Sequence, residues 1–148
     1  MRAVGNVMGI GYEGRSLDEV MSTLRIWECS TVVDVRLNPV SRKRGFSRKS
    51  LAAALAEQGI GYVHLRALGN PVDNRSGFAH PGSVHASAAH SRFVDEVLRG
   101  ADAQTALAEI ERHAAQGVVT LLCFEAAASC CHRSLVMDAL QSRALQTV

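Results

Sequence analysis

The sequence lacks several features that define whole classes of protein. No apolar run approaches the ~18 residues that a membrane-spanning helix needs. The first residues, Met1–Asn6, lack the longer apolar stretch and the small-residue cleavage site of a signal peptide. We therefore expect a cytoplasmic protein without a membrane partner. Aromatic residues make up only 5% of the chain, which is few for a protein that stacks on nucleic-acid bases.

The cysteines lack a recognisable spacing. They are Cys29, Cys123, Cys130 and Cys131. They form neither the spaced framework of a disulfide-rich domain nor the paired C-x-x-C spacing of a zinc site. We therefore expect reduced thiols, predict no metal site, and leave the cofactor open.

The size and composition favour one globular domain. The chain has 148 residues, of which 47% are hydrophobic and 20% charged, enough for a single core and too few for two ordinary domains. We predict one domain over residues 1–148 and leave a homodimer open. The net charge is only +2, yet the segment from Arg36 to Lys49 carries six positive charges and no acid. The charge therefore points to a local site.

Strand and helix patterns alternate along the chain. Predicted strands are 4–10, 31–35, 60–64 and 118–124, with an edge strand at 145–148. Predicted helices are one capped by Ser16 and Glu19, then 47–58, 88–98, 102–115 and one that includes residues 135–140. Alternation of this kind predicts right-handed crossovers and an α/β, three-layer, Rossmann-like domain, with a mostly parallel sheet covered by helices on both faces.

Polar and reactive side chains follow the predicted strands. They are Tyr12 after the first strand, Asp34 and Arg36 at the second, His64 at the third, and Cys123 and Glu125 at the fourth. In open parallel sheets, ligands bind beyond the carboxyl ends of the strands. We therefore predict a functional site at this edge of the sheet, with Tyr12 and His64 as walls.

The strongest local signal is the run from Cys131 to Ser134 at the start of the last helix. The N-terminus of a helix presents free N–H groups and a positive dipole end, so an anion is expected there, bound also by Arg133 and Ser134. The same field, with His132 alongside, would lower the pKa of the Cys131 thiol. The candidate catalytic groups are therefore Cys123, Cys131 and His132, together with Glu125 as a general acid or base.

A second signal is the Asp-Val-Arg end of the second strand. Strand alternation puts Asp34 and Arg36 on one face, where the carboxylate can orient the guanidinium. Arg42, in the following basic loop, would then help to surround a phosphate-bearing ligand or a nucleic-acid backbone.

The glycine pattern Gly9–Gly14 resembles a dinucleotide-binding fingerprint, and Asp34 stands 20 residues after it. In that fingerprint, however, the helix begins within the motif, whereas here the capping box starts it at Ser16. We therefore set aside a nicotinamide or flavin site.

Four sequence blocks together resemble the bacterial and archaeal family called domain of unknown function 488. They are 9–16; 33–36 with Pro39, Ser41 and Phe46; 61–65 with 68–71; and 122–125 with 131–134. The resemblance implies a three-layer α/β domain over nearly the whole chain. It also singles out Arg36, Cys123, Glu125, Cys131, His132 and Arg133 as motif positions, and it implies no established reaction.

Three functions fit this pattern. The first is an enzyme that acts on a phosphorylated or nucleotide-like substrate, with an anion site for a phosphate or nucleotide at the carboxyl edge of the sheet. The second is a nucleic-acid-binding module that uses the basic loop 36–49. The third is thiol chemistry at Cys123 or Cys131, which loosely resembles that of rhodaneses but without their glycine-rich loop. A binding domain without catalysis fits the first pattern equally well.

Overall fold

The fold is built on a four-stranded, all-parallel sheet. A computed structural model describes residues 5–146. The strands are Val7–Gly11 (β1), Cys29–Asp34 (β2), Gly61–His64 (β3) and Val118–Cys123 (β4). Their order is β1-β4-β2-β3, so β4 lies in the interior of the sheet. This order brings Cys123 beside Gly11 and places the end of β2 on the other side of β4.

Five α-helices cover the sheet. They are Leu17–Ile26 (α1), Arg48–Glu57 (α2), Val84–Phe93 (α3), Ala101–Ala114 (α4) and Arg133–Gln146 (α5). The capping box of α1 is confirmed, because the Ser16 hydroxyl accepts from Glu19 N and the Glu19 carboxylate accepts from Ser16 N. The α1 helix therefore begins after the last glycine of the Gly9–Gly14 pattern.

Two hydrophobic clusters, one on each face, hold the layers together. Val20, Leu24, Leu51 and Leu55 bring α1 and α2 against one face of the sheet. Residues of α3, α4 and α5 pack on the other, among them Phe93, Leu107, Ile110 and Val136. The predicted three-layer α/β domain with a parallel sheet is therefore confirmed.

Several predicted boundaries differ from the observed ones. Helix α3 begins at Val84 and not at Ala88, because Ser83 caps it by accepting from Ala86 N. The predicted edge strand at 145–148 is wrong where it can be compared, since α5 continues through residues 145 and 146. Residues 147–148, and the start of the first predicted strand, lie outside the described residues. Within residues 5–146, no helix is long and apolar enough to cross a bilayer.

Candidate functional site

A pocket of about 280 Å³ opens at the carboxyl edge of the sheet. The ends of β1, β2 and β4 contribute to it, together with the basic loop, the loop between β3 and α3, and the turn before α5. Its lining includes Tyr12, Arg36, Arg42, Asn70, Arg75, Phe124, Cys123, Glu125, Cys130, Cys131 and His132. The parallel strands bring these distant residues together because all their carboxyl ends lie at the same edge.

A buried ion pair supports one wall of the pocket. The Asp34 carboxylate is fully buried and accepts from Arg36 Nε at 2.8 Å and Arg36 Nη2 at 2.6 Å. Burial alone would lower the pKa of Arg36, but the hydrogen bonds and charge of Asp34 outweigh it and raise that pKa. The predicted orientation of the Arg36 guanidinium by Asp34 is therefore observed.

The Nη1 group of Arg36 is also directed into the protein. Its Nη1 donates to Tyr12 Oη at 3.1 Å and to Phe46 O at 2.7 Å. The Tyr12 ring stacks on Phe46 with centroids 4.3 Å apart, which fixes the hydroxyl. Four of the five N–H donors of Arg36 are thus engaged within the protein. Arg36 also lines the pocket, so it supports the wall, and its contact with an anion stays a prediction.

The Cys123 and Cys131 sulfurs lie against each other at the base of the pocket as a disulfide pair. This pairing differs from the reduced thiols that we expected, and the sequence did not predict it, since seven residues of loop and turn lie between the two positions. Their Cα atoms are 7.5 Å apart, beyond the ~4.4–6.8 Å span of ordinary disulfides. Both side chains are 1% exposed, so access to the sulfurs is through the pocket. Cys29 and Cys130 are free thiols.

His132 contacts the Cys131 sulfur as a neutral ring. Its Nε2 lies 2.8 Å from Val35 O, and since a carbonyl only accepts, Nε2 carries the proton. The unprotonated Nδ1 then faces Cys131 Sγ at 3.6 Å. Burial lowers the pKa of His132 to about 4, and the charges of Arg75 and Arg133 contribute in the same direction. His132 is thus available as a proton acceptor, but it does not supply the positive charge that we expected beside Cys131.

Arg133 lies behind the cysteines and does not line the pocket. Its Nη1 donates to Cys123 Sγ at 2.7 Å and to Glu125 O, and its Nη2 donates to Ala126 O at 2.9 Å. Because a guanidinium is a charged donor, the first contact would stabilise a thiolate at Cys123 in the reduced protein. The expected bidentate contact of Arg133 with an anion is not supported by this placement.

Two other arginines of the pocket are candidate anion partners with free donors. Arg42 was predicted from the sequence, and Arg75 comes from the long loop between β3 and α3. Both side chains line the pocket, and both residues are exposed. Within residues 5–146 neither guanidinium takes part in a hydrogen bond or an ion pair, so their donors are available to a ligand.

Two other predicted site residues, His64 and Ser134, form hydrogen bonds within the fold and do not line the pocket. His64 donates from Nε2 to Arg36 O at 2.7 Å, and the Ser134 hydroxyl donates to Cys131 O at 2.9 Å. Neither residue, nor Asp34, is part of the pocket lining. His64 is therefore not the wall that we expected, and Ser134 fastens the turn at the start of α5.

Sequence reasoning missed Arg75 and Asn70 as pocket residues. Both belong to a loop rich in glycine, proline, asparagine and serine, and long loops inside small domains are often functional. That loop length was the available signal. It could not identify which side chains turn inward, because the loop folds into short 3-10 turns at Val72–Asn74 and Ser76–Ala79.

The burial of neutral His132 predicts a pH-dependent stability. The pKa of His132 in the folded protein is about 4 against an unfolded value of ~6.5, so the unfolded chain binds the extra proton between these values. Stability is then present in full above pH 6.5 and falls as the pH drops toward 4, by about 2 kcal/mol at pH 5. Urea unfolding at pH 7 and pH 5, in reducing buffer with EDTA, measures this loss.

The matched variants are His132→Gln and His85→Gln, because His85 is exposed. His132→Gln is expected to remove about 2 kcal/mol of the pH-dependent difference, whereas His85→Gln retains it. An equal pH dependence in the wild type and in His132→Gln contradicts the prediction.

Comparison with known proteins identifies a family. A protein-family model, described as domain of unknown function DUF488, matches residues 16–140. This range contains all five helices in whole or in large part, strands β2 to β4, and every residue of the site except Tyr12. Neither the curated proteins nor the solved structures contain a match to the chain. The chain belongs to the DUF488 family.

Proposed function

We propose that this protein is an enzyme that binds a phosphorylated or nucleotide-like small molecule in the pocket at the carboxyl edge of the sheet. One observation carries the proposal: the guanidinium groups of Arg42 and Arg75, which have no protein partner among the described residues, line the same pocket as Cys123, Cys131 and Glu125. Unpaired cations beside titratable groups are the arrangement expected for an anionic substrate.

The shape of the pocket supports a small ligand. Its volume of about 280 Å³ is close to the lower end of the ~300–1,000 Å³ range of small-molecule sites. The lining also includes exposed apolar side chains, with Val40 78% and Phe124 46% exposed. Arginines for a phosphoryl group and apolar side chains for the remainder match the two halves of a nucleotide-like molecule.

The chemical groups line the same pocket as the two arginines. Glu125 is partly exposed and supplies a carboxyl group for proton transfer, while Nδ1 of His132 is a second proton acceptor. An anion held by Arg42 and Arg75 would be positioned over both groups. The proposed role of the arginines is therefore to bind the substrate, and that of Glu125 and His132 is to move protons.

A thermal-shift screen of nucleotides and sugar phosphates tests the proposal. At least one ligand is expected to raise the melting temperature of the wild type, since a ligand that binds only the folded state stabilises it. Arg42→Ala and Arg75→Ala should each weaken binding by about tenfold or more, because a hydrogen bond to a charged group contributes about 1.5–3 kcal/mol.

Arg44→Ala is the matched control, since Arg44 is an exposed arginine of the same loop that does not line the pocket. It should bind like the wild type. No stabilisation by any phosphate ligand, or an equal loss of binding in Arg44→Ala, would contradict the proposal. Binding of nucleic acid that weakens steeply with salt and depends on Arg48 and Lys49 would favour the alternative of a nucleic-acid-binding module.

A second candidate function is thiol chemistry at Cys131 of the reduced protein, in which His132 Nδ1 takes the thiol proton and the thiolate displaces a leaving group from an anionic electrophile in the pocket. It is favoured by the contact between Cys131 Sγ and His132 Nδ1 at 3.6 Å and by Arg133 N at 3.5 Å from the same sulfur. If this is the chemistry, Cys131 in the reduced protein reacts with iodoacetate faster than free cysteine at pH 7, and His132→Gln removes the excess rate. A rate no higher than that of free cysteine contradicts this function.

A further inference from the structure

Three metal-binding side chains meet at the base of the pocket. The two sulfurs of Cys123 and Cys131 and a carboxylate oxygen of Glu125 all lie within 4.8 Å of one another. Cys123 and Glu125 come from the end of β4, and Cys131 from the turn before α5. The end of β4, the loop after it and the turn before α5 therefore bring the three residues together, and we call them the dithiol–carboxylate cluster.

The dimensions of the cluster suit one metal ion. Zinc binds sulfur at ~2.3 Å and carboxylate oxygen at ~2.0–2.2 Å, so ligand atoms around one ion lie no more than about 4.6 Å apart. Two thiolates bridged by a tetrahedral ion are about 3.8 Å apart, so the paired sulfurs would separate to this distance when the reduced protein binds the ion. The Cα separation of 7.5 Å is longer than that of ordinary disulfides and fits a pair of cysteines with an ion between them.

The surrounding charges also fit a divalent cation. Two thiolates and one carboxylate carry three negative charges, which a divalent ion and the Arg133 guanidinium neutralise together. Arg133 donates to Cys123 Sγ from Nη1 at 2.7 Å, and its backbone N lies 3.5 Å from Cys131 Sγ. Donors to the sulfurs of a metal site hold the thiolate form and orient it, so Arg133 already occupies the position of an outer-shell residue.

We propose that the dithiol–carboxylate cluster binds a thiophilic divalent cation of the zinc type. Sulfur ligands select zinc over the hard ions magnesium and calcium. Three protein ligands leave one coordination position, and Cys123, Glu125 and Cys131 all line the pocket, so this position is available to a water molecule or to an oxygen of a bound anion. Occupancy of the cluster stands on its own geometry. A role for the ion in polarising the substrate rests on the proposed function.

Cobalt(II) titration of the reduced, chelator-treated full-length protein tests this site. One equivalent of cobalt should produce a thiolate-to-cobalt charge-transfer absorption, and added zinc should remove it. Cys123→Ser and Cys131→Ser should each abolish the absorption. Glu125→Gln should weaken cobalt binding by at least about tenfold, since even outer-shell losses cost about 10–100-fold.

Cys130→Ser is the matched control, because Cys130 is adjacent to Cys131 but lies outside the cluster. It should bind cobalt like the wild type, with circular dichroism confirming the fold of every variant. Absence of the absorption in the wild type, its persistence in Cys131→Ser, or its loss in Cys130→Ser overturns the proposal.

Two further measurements separate this proposal from the proposed function. The Arg42→Ala/Arg75→Ala double variant should retain cobalt binding, since neither arginine belongs to the cluster. Loss of cobalt binding in that double variant would contradict the assigned ligands. Phosphate-ligand binding is measured in the chelator-treated protein, so failure of the metal site does not conceal a functional anion site.

Discussion

Replacing Asp34 with asparagine is expected to destabilise the fold by about 3–5 kcal/mol, since removing one partner of a buried ion pair leaves an uncompensated charge. Asp34 accepts from Arg36 through both carboxylate oxygens and from Tyr62 Oη at 2.6 Å. A loss of this size is a large part of the ~5–15 kcal/mol that stabilises a typical domain. Urea unfolding at pH 7 measures it.

Glu111→Gln is the matched control. Glu111 forms an equally bidentate pair with Arg143, but the two side chains are 40% and 30% exposed, so breaking that pair should cost below about 1 kcal/mol. If Asp34→Asn does not fold, adding Arg36→Met removes the stranded charge and should restore a cooperative transition. Equal losses in Asp34→Asn and Glu111→Gln would contradict the structural role of the buried pair.

Replacing Gly11 with alanine is expected to lower stability by about 1–3 kcal/mol and to abolish binding of any phosphate ligand found for the wild type. A methyl group at Gly11 would overlap the backbone carbonyl of Glu125, and a backbone cannot turn aside as a flexible side chain can. The end of β1 and the loop after β4 must then separate. This displaces Glu125 and the carbonyls that hold Arg133.

Gly61→Ala is the matched control, because a Cβ at this exposed glycine of β3 meets nothing closer than 3.5 Å. It should change stability by no more than about 0.5 kcal/mol and leave ligand binding unchanged. If Gly11→Ala has the stability and ligand binding of Gly61→Ala, the close approach of β1 to the Glu125 loop is not required for the site.

The fold and the edge of the site could be predicted because both depend on local patterns. Short β-branched strands alternating with amphipathic helices dictate a parallel sheet, and a parallel sheet brings its carboxyl ends together. Cys123, Glu125 and Cys131 therefore converge as predicted. The β-branched run at Thr31 to Val35 and the capping box at Ser16 were sufficient to locate β2 and α1.

The candidate anion partners could be predicted only in part, Arg42 but not Arg75, because the sequence does not reveal how each guanidinium is satisfied. Arg36 follows the buried strand β2, and Arg133 begins α5, which made both arginines candidates for binding an anion. Burial, however, also obliges each guanidinium to pair with acceptors of the protein. Arg42 and Arg75 lie in irregular segments, where no periodicity fixes the direction of a side chain. Among residues 5–146, the guanidinium groups of Arg36 and Arg133 form tertiary hydrogen bonds, whereas those of Arg42 and Arg75 form none and are available to a ligand.

The pairing of Cys123 with Cys131 was missed for a related reason. Spacing rules recognise metal and disulfide sites whose ligands lie close in sequence or recur at fixed intervals. Here one sulfur comes from a strand end and the other from the turn before a helix, so their meeting depends on how α5 packs against β4. Glu125, two residues after Cys123, completes the cluster only because the chain turns back at the sheet edge.

The central claim is that an anion binds in the pocket between Arg42 and Arg75, above Cys131. A crystal structure of the reduced protein, soaked separately with inorganic phosphate and with a nucleoside monophosphate, tests it most directly. We expect electron density in contact with both guanidinium groups for at least one of these anions. Density only in the neighbouring cavity lined by Arg15 and Arg133, or in neither place at saturating concentration, would contradict it.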